Sequence, residues 1–512
     1  EDTPHGRARH ARSKPHLPAT AQLTRLVSPQ IYTTVMRQVV GRRGADSNYR
    51  YLYALLMDPD YGVLDGMFAH ACSQVPMMLK ASYGKTDPDL PTLQEALAGE
   101  HREEFLEAMR KEIKELEEHN TWTIVKRSEV TEGAQILPGT WALKIKRFPD
   151  GRFRKIKARF CARGDKQEGV EERYAPVVAW STVRLLLCMS ISQGWKTKQI
   201  DFSNAFVQSD MNKEIFMGIP QGFEGPNGEH HSEVAMKLNK SIYGLVDAPL
   251  YWFRHLSKKL DDIGFKPSKL DPCPFYGCVM VLLVYVDDCL FFGPDASEID
   301  KVIADLKASG MTLTVEDTDA YAFLGVDITP MDNGGYTMTQ KGLIKKVLET
   351  TGMSDCGAKG TPATTTPVAT DADGAPFRET WSYSSAVGML LYLAANSRPD
   401  IQFAVHQCAR FTHSPKNSHG EAVKRICRYL KGTMDKGMEF KPTKELELDL
   451  YVDADFAGLW KHEHDQDLVC VKSRMGYIIT LGGCPVVFSS KLQSEIATST
   501  LESEYIALST AM

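Results

Sequence analysis

The chain has 512 residues, a formal net charge of −5, 43% hydrophobic and 24% charged residues. That is enough for more than one domain and ordinary for a globular protein. The longest apolar run is too short for a bilayer span, the Arg-rich start carries no apolar signal core, and the mild acidity excludes a histone-like nucleic-acid binder.

Eleven cysteines are scattered with no paired zinc spacing, which suits reduced thiols in an intracellular protein. His462, His464, Asp465, Asp467 and Cys470 fit no known metal spacing and read as a polar loop. Residues 1–91 fit no module. Their first half is rich in Arg and His and reads as a solvated linker that could brush nucleic acid only electrostatically. Thr92-Leu93-Gln94-Glu95 is a capping box. A helix follows over His101–Glu118, with Phe105, Met109, Ile113 and Leu116 on one face. Residues 141–163 read as a hairpin turning at Pro149-Asp150-Gly151. Its strands carry Lys144, Lys146, Arg147, Arg152, Arg154, Lys155, Lys157, Arg159 and Arg163.

A helix over Thr182–Ser192 precedes a stretch, Lys198–Phe206, that reads as a strand ending in Asp201 followed by a tight turn. A lone strand-end Asp is usually a helix cap. Residues 280–293 are two apolar runs flanking Asp287-Asp288, which predicts a buried hairpin with the pair at its turn. Two readings stand for that pair. Asp is a common turn residue; equally, carboxylates amid so much apolar surface call for a cation or a donor. If the two strands are neighbours, Asp201 joins the pair, and three carboxylates at adjacent strand ends can hold two Mg²⁺ ions. Further on, helices are expected over 298–309 and 340–350, with a hairpin turn at Asp332-Asn333-Gly334-Gly335. A Thr/Pro/Ala/Gly-rich linker at 357–376 reads as a boundary. In the helix over Gly420–Lys431, Lys424, Arg428 and Lys431 form either a phosphate-tracking stripe or an ordinary solvated face. Residues 445–453 alternate strictly, with Leu446, Leu448, Leu450 and Val452 on one side.

Tyr285-Val286-Asp287-Asp288 resembles the signature of reverse transcriptases, and the wider pattern resembles the polymerase region of copia-type retrotransposon polyproteins. The collinear blocks include Asn120-Thr121-Trp122-Thr123, Lys157-Ala158-Arg159, Gln199-Ile200-Asp201, Ser241-Ile242-Tyr243-Gly244-Leu245, Phe323-Leu324-Gly325, Arg398-Pro399-Asp400 and Ser499–Tyr505. They run from about residue 95 to the end. The resemblance implies an α+β right-hand polymerase over 92–356, with fingers, palm and the start of a thumb. A linker (357–376), a helical connection (377–444) and a truncated α/β ribonuclease H-like domain (445–512) would follow.

It implies an RNA-directed DNA polymerase, a nucleotidyltransferase that extends a DNA or RNA primer on an RNA template with deoxynucleoside triphosphates. Asp201, Asp287 and Asp288 would hold two Mg²⁺ ions, or Mn²⁺. Lys157 and Arg159 would meet the triphosphate, and Gly244 would lie beneath the incoming base. Phe206 reads either as a core residue or, by the resemblance, as the gate against a ribose 2′-OH. Phe323, Leu324 and Gly325 would grip the primer end. Asp453 and Glu504 match two ribonuclease H acids, and that activity is expected to be incomplete. By resemblance the protein would be cytoplasmic, in virus-like particles, with no membrane partner. The chain departs from the family pattern at Ser203-Asn204 and at Val246-Asp247. The competing expectation is a remnant that folds and binds nucleic acid without catalysis.

Overall fold

The computed structural model describes residues 89–512 apart from 148–152, 170–173, 221–222, 224–228, 278, 317–320 and 464–466. The basic N-terminal stretch, the Pro149-Asp150-Gly151 turn and residues His464 and Asp465 lie outside the described residues. The described chain is α+β.

Helices α1 (Leu93–Ala98) and α2 (Arg102–Glu118) open it. Thr92 and Glu95 close a reciprocal capping box, with the Thr92 N–H donating to the Glu95 carboxylate over 2.8 Å. α2 buries Phe105, Met109, Ile113 and Leu116 as its spacing requires, and Glu112 with them. Asn120, at φ 53°, turns the chain out of the helix.

Strands β1 (Trp122–Lys126), β2 (Ile136–Leu137), β3 (Gly139–Arg147) and β4 (Phe153–Ala162) follow, and then helix α3 (Trp180–Gln193). β3 and β4 pair only with each other. One face of this ribbon, with Leu143, Ile145 and Ala158, packs on Phe105 and Met109 of α2. The other face sets Lys144 opposite Lys157 and Lys146 opposite Lys155.

Next come β5 (Lys196–Phe202), β6 (Phe216–Met217), β7 (Val234–Leu238), helix α4 (Ala248–Asp262), β8 (Lys266–Pro267), β9 (Pro274–Tyr276), β10 (Val281–Tyr285), β11 (Asp288–Gly293), helix α5 (Ala296–Ala308) and β12 (Leu313–Glu316). The central sheet has the order β12-β5-β11-β10-β9-β8. Trp252, Leu256 and Leu260 of α4 and Ile299, Ile303 and Leu306 of α5 cover one face of it, burying Ile200, Phe202, Cys289 and Phe291. Strand alternation therefore points Asp201 and Asp288 to the opposite face.

β13 (Tyr321–Phe323), β14 (Val326–Pro330) and β15 (Tyr336–Thr339) form two hairpins in succession. Helices α6 (Lys341–Thr350), α7 (Tyr383–Asn396), α8 (Gln402–Ala409) and α9 (Asn417–Gly432) share one core, including Ile344, Leu348, Leu390, Leu393, Val405 and Ile426. Strand β16 (Met438–Phe440) returns to pair with β15. Residues 357–376 are thus a strap over one helical core rather than a boundary. The Lys359 N–H donates to Arg428 O (3.2 Å), His419 Nε2 meets Ala369 O (2.8 Å), and Lys416 Nζ donates to Gly374 O (2.9 Å). The composition signalled irregular backbone correctly; the hydrogen bonds that hold it come from α9 and its N-cap and from Arg410 and Glu463, far along the chain.

β17 (Leu448–Ala454), β18 (Arg474–Leu481) and β19 (Cys484–Leu492) form an antiparallel sheet, followed by helix α10 (Thr500–Ala511). β19 packs toward α3: the Arg184 guanidinium sits 4.5 Å over the Phe488 ring and donates to Val486 O (3.2 Å). The first strand starts at Leu448, not Glu445, and its alternation does not bury a face. Leu448 is 43% and Leu450 37% exposed on one side, and Tyr451 is 63% exposed on the other.

A tight backbone contact joins the β3–β4 ribbon to the segment before α4. The Ala162 N–H donates to Tyr243 O (2.8 Å), and a Cβ on Gly244 (φ +92°) would lie 2.2 Å from Ala162 O. Gly325, at φ +74°, faces open space. Gly244→Ala is therefore expected to lose about 2 kcal/mol or more by denaturant unfolding, from clash plus backbone strain, whereas Gly325→Ala loses only about 1 kcal/mol from strain. Equal losses would show that the Ala162 contact does not matter.

Candidate active site

The hairpin tip differs from expectation by one residue. Tyr285 pairs with Asp288, so the two-residue turn is Val286-Asp287, and Asp288 already belongs to the returning strand. Val286 stands at φ 51°, a left-handed conformation that a β-branched residue resists. Two hydrogen bonds hold the tip there. Trp252 Nε1 donates to Val286 O (2.6 Å), and the Phe202 N–H donates to Asp287 O (2.9 Å). Backbone strain stored this way is a feature of functional sites.

Asp288 lies directly across from Asp201, and Asp201 is flanked on its other side by Thr314 of β12. The three carboxylates oppose one another's charge. Burial, then Asp287, Asp201 and Glu316, push the Asp288 carboxyl up to about 7, against a Gln199 hydrogen bond that lowers it. Burial and Asp287 raise Asp201 as well, against Lys157. Glu316, at the end of β12, adds a fourth negative charge that no motif announced.

Opposite stands the cationic ribbon. Like charges directly across a ladder destabilise it, so the Lys144–Lys157 and Lys146–Lys155 pairings describe a surface that wants an anion. Burial, then Arg159 and Lys146, lower the Lys157 amine to about 8, while Asp287 and Glu112 pull the other way. Lys157 thus links the cations to the carboxylates. Glu112 of α2 accepts from the Phe160 N–H (3.2 Å) and, mainly through burial, is raised above an ordinary carboxyl. The Arg159 guanidinium lies 4.2 Å over the Tyr243 ring, whose other neighbour is Phe206, edge-on at 4.7 Å. Phe206 is half-buried in a short 3-10 turn after Asp201.

The Phe323-Leu324-Gly325 segment is a tight hairpin turn, with φ of 53° at Leu324 and 74° at Gly325. The Phe323 ring lies 6.4 Å from that of Tyr285, in the carboxylate hairpin, and Tyr392 Oη of α7 donates to Leu324 O (2.5 Å). Gly244 makes the close backbone contact with Ala162 described above. Asp247 is buried, with Gln167 Nε2 donating to its Oδ1 (3.2 Å). Asp453 and Glu504 are exposed, on β17 and α10, in a different sheet-and-helix unit from the central carboxylates. The structure therefore brings together Asp201, Asp287, Asp288, Lys157, Arg159 and Phe206. It adds Tyr243, Glu112 and Glu316 to them and leaves Asp453 and Glu504 apart.

Among the described residues, no group of three or more His, Cys, Asp or Glu side chains is arranged to hold a metal ion as it lies. The donor chemistry still fits Mg²⁺: all-oxygen carboxylates on neighbouring strands, with protons favoured by mutual repulsion that a divalent cation would relieve.

The raised Asp288 carboxyl carries a sign. Between its ordinary value of 3.8 and about 7 the folded chain holds a proton that the unfolded chain has lost, so stability falls as pH rises through that window. Without divalent cations, Asp288→Asn is expected to melt a few degrees above wild type at pH 8, the gain vanishing near pH 4. A lower melting temperature at pH 8 would refute this electrostatic account.

The family described as reverse transcriptase (RNA-dependent DNA polymerase) matches residues 119–365. The chain is 32% identical over 439 residues to the retrovirus-related Pol polyprotein from transposon TNT 1-94 of Nicotiana tabacum, covering 82% of this chain and 32% of that protein. It is 32% identical over 407 residues to the corresponding polyprotein from transposon RE2 of Arabidopsis thaliana, covering 78% and 27%. The chain thus spans about a third of the length of these relatives. Among solved structures, a foamy viral protease-reverse transcriptase in complex with double-stranded DNA overlaps 94% of this chain and 71% of its own, at 12% identity and a TM-score of 0.44, too low to bear on function. The sequence matches, spread over most of the chain, support a copia-type reverse transcriptase region like that of retrotransposon Pol polyproteins.

Proposed function

We propose that the chain is an RNA-directed DNA polymerase that adds deoxynucleotides to a primer 3′-OH on an RNA template. The observation that carries this reading is the meeting of Asp201 and the Val286-Asp287 turn with Lys157 at one end of the central sheet. Acids that favour a cation face bases that favour an anion. That is the electrostatic demand of a nucleoside triphosphate bound with divalent metal.

In this reading the β3–β4 ribbon with α2 acts as fingers, the central sheet as palm, and α6–α9 as thumb and connection. Asp201 and Asp287, assisted by Asp288, would hold two Mg²⁺ or Mn²⁺ ions, which when bound supply a lowered pKa for the primer hydroxyl and charge neutralisation on the triphosphate. Lys157 and Arg159 bind the triphosphate oxygens, Lys157 as a point charge and Arg159 as a planar fork. Lys144, Lys146 and Lys155 neutralise template phosphates. Phe206 fills the space a ribose 2′-OH needs. The Phe323-Leu324-Gly325 turn holds the primer end, its Phe323 edge against Tyr285. Residues 445–512 serve as a ribonuclease H-like piece, with Asp453 and Glu504 as two of its acids. The expected setting is the cytoplasmic particle of a retrotransposon.

Primer extension on an RNA template with Mg²⁺ tests the reading. Asp201→Asn and Asp287→Asn are each expected to lower the rate by about a thousandfold or more while leaving the protein folded, because a neutral amide holds Mg²⁺ poorly. Near-native rates from either variant would remove that carboxylate from the site.

Phe206→Val is expected to admit ribonucleotides, raising the efficiency ratio of ribonucleotide to deoxynucleotide by about a hundredfold. An unchanged ratio with reduced stability would make Phe206 a core residue only.

A further inference from the structure

The Tyr243 ring is in contact with both Arg159, on the cationic ribbon, and Phe206, after the Asp201 strand. Its own position is set by backbone. Its carbonyl accepts from the Ala162 N–H (2.8 Å), Gly244 permits that approach, and three residues on Gln167 Oε1 accepts from the Val246 N–H (2.9 Å). Both bonds come from the ribbon and the turn that follows it. The ring is therefore fixed to the ribbon while it touches Phe206, in the turn that follows a strand of the central sheet.

Its two contacts do different work. A guanidinium held over an aromatic face keeps N–H groups free to meet an anion. Arg159 also feels the charges of Glu112 and Asp201, and the ring supplies the surface against which its guanidinium lies. The edge-on packing at 69° limits the swing of the Phe206 ring. A side chain that excludes a single hydroxyl needs a wall behind it, because a gate free to rotate yields to the larger sugar.

We propose that Tyr243 is a positioning residue that, through its ring and not its hydroxyl, orients Arg159 toward the triphosphate and backs Phe206 against the sugar, so that it governs both nucleotide affinity and ribose discrimination. This rests on the polymerase reading above and assigns one ring to two functions of that site.

The test compares wild type, Tyr243→Phe and Tyr243→Leu, full length, on an RNA template with a DNA primer. Two readouts are taken with dGTP and GTP opposite a templating C. One is steady-state extension with Mg²⁺; the other is equilibrium nucleotide binding to the primer–template complex with Ca²⁺. Thermal unfolding of each variant runs alongside.

Tyr243→Leu is expected to raise KM for dGTP about tenfold, with a smaller change in kcat, and to shrink the dGTP-to-GTP preference about tenfold in both readouts. Tyr243→Phe is expected to keep wild-type values. If Tyr243→Leu keeps wild-type KM and preference and loses only stability, the proposal is overturned. If Tyr243→Phe falls as far as Tyr243→Leu, the hydroxyl is the acting group and the proposal is again overturned. If wild type binds dGTP over GTP and Tyr243→Leu loses that preference, but no variant extends a primer, the polymerase reading fails and the positioning role of Tyr243 stands. If wild type binds neither nucleotide, both fall.

Discussion

Asp201 and Asp288 face each other across neighbouring strands with Asp287 at the adjoining tip, and their mutual repulsion is the constraint around which the described fold is arranged. A sheet end carrying three carboxylates opposes its own folding unless the elements around it hold it in place. Here α4 and α5 bury the opposite face of the same strands, and Trp252, a fully buried side chain of α4, reaches through to hold the turn by its carbonyl. Apolar burial on one face thus stabilises the crowding of charge on the other. Proteins commonly trade stability for function in this way.

The cationic ribbon solves the complementary problem by similar means. Its inner face is anchored on α2, so the outer face can carry paired lysines that would otherwise splay it. Glu112 sits between these two roles. It is part of the helix face that packs on the ribbon, and its carboxylate is the acid nearest in sequence space to none of the motifs yet close enough to influence both Lys157 and Tyr243. A buried acid beside a cation column moderates repulsion within the column.

Much of this was legible in the residues. Strand alternation around Ile200-Asp201-Phe202, the apolar runs about Asp287-Asp288 and the spacing of Phe105, Met109 and Leu116 each reported a local periodicity that tertiary packing then used. What was not legible depends on pairings between remote elements. The Asp201–Asp288 register, the charge of Glu316 and the double contact of Tyr243 come from strands and turns that meet only in three dimensions. Val286 misled for a different reason. A β-branched residue is the wrong choice for a left-handed turn position, so the turn was set one residue late. The 357–376 stretch misled because its composition reports the absence of regular structure and says nothing of hydrogen bonds offered by α9. The apolar alternation of 445–453 was a real strand signal, but alternation cannot say whether a face finds a cover.

That strap has a topological consequence. α6 and β15 precede it and α7–α9 and β16 follow it, yet they share one hydrophobic core and one sheet. The peptide connection across 357–376 is therefore not what keeps the two sides together. A proteolytic nick there leaves two fragments joined by non-covalent packing alone, a body that runs as one species in native conditions and as two only once denatured.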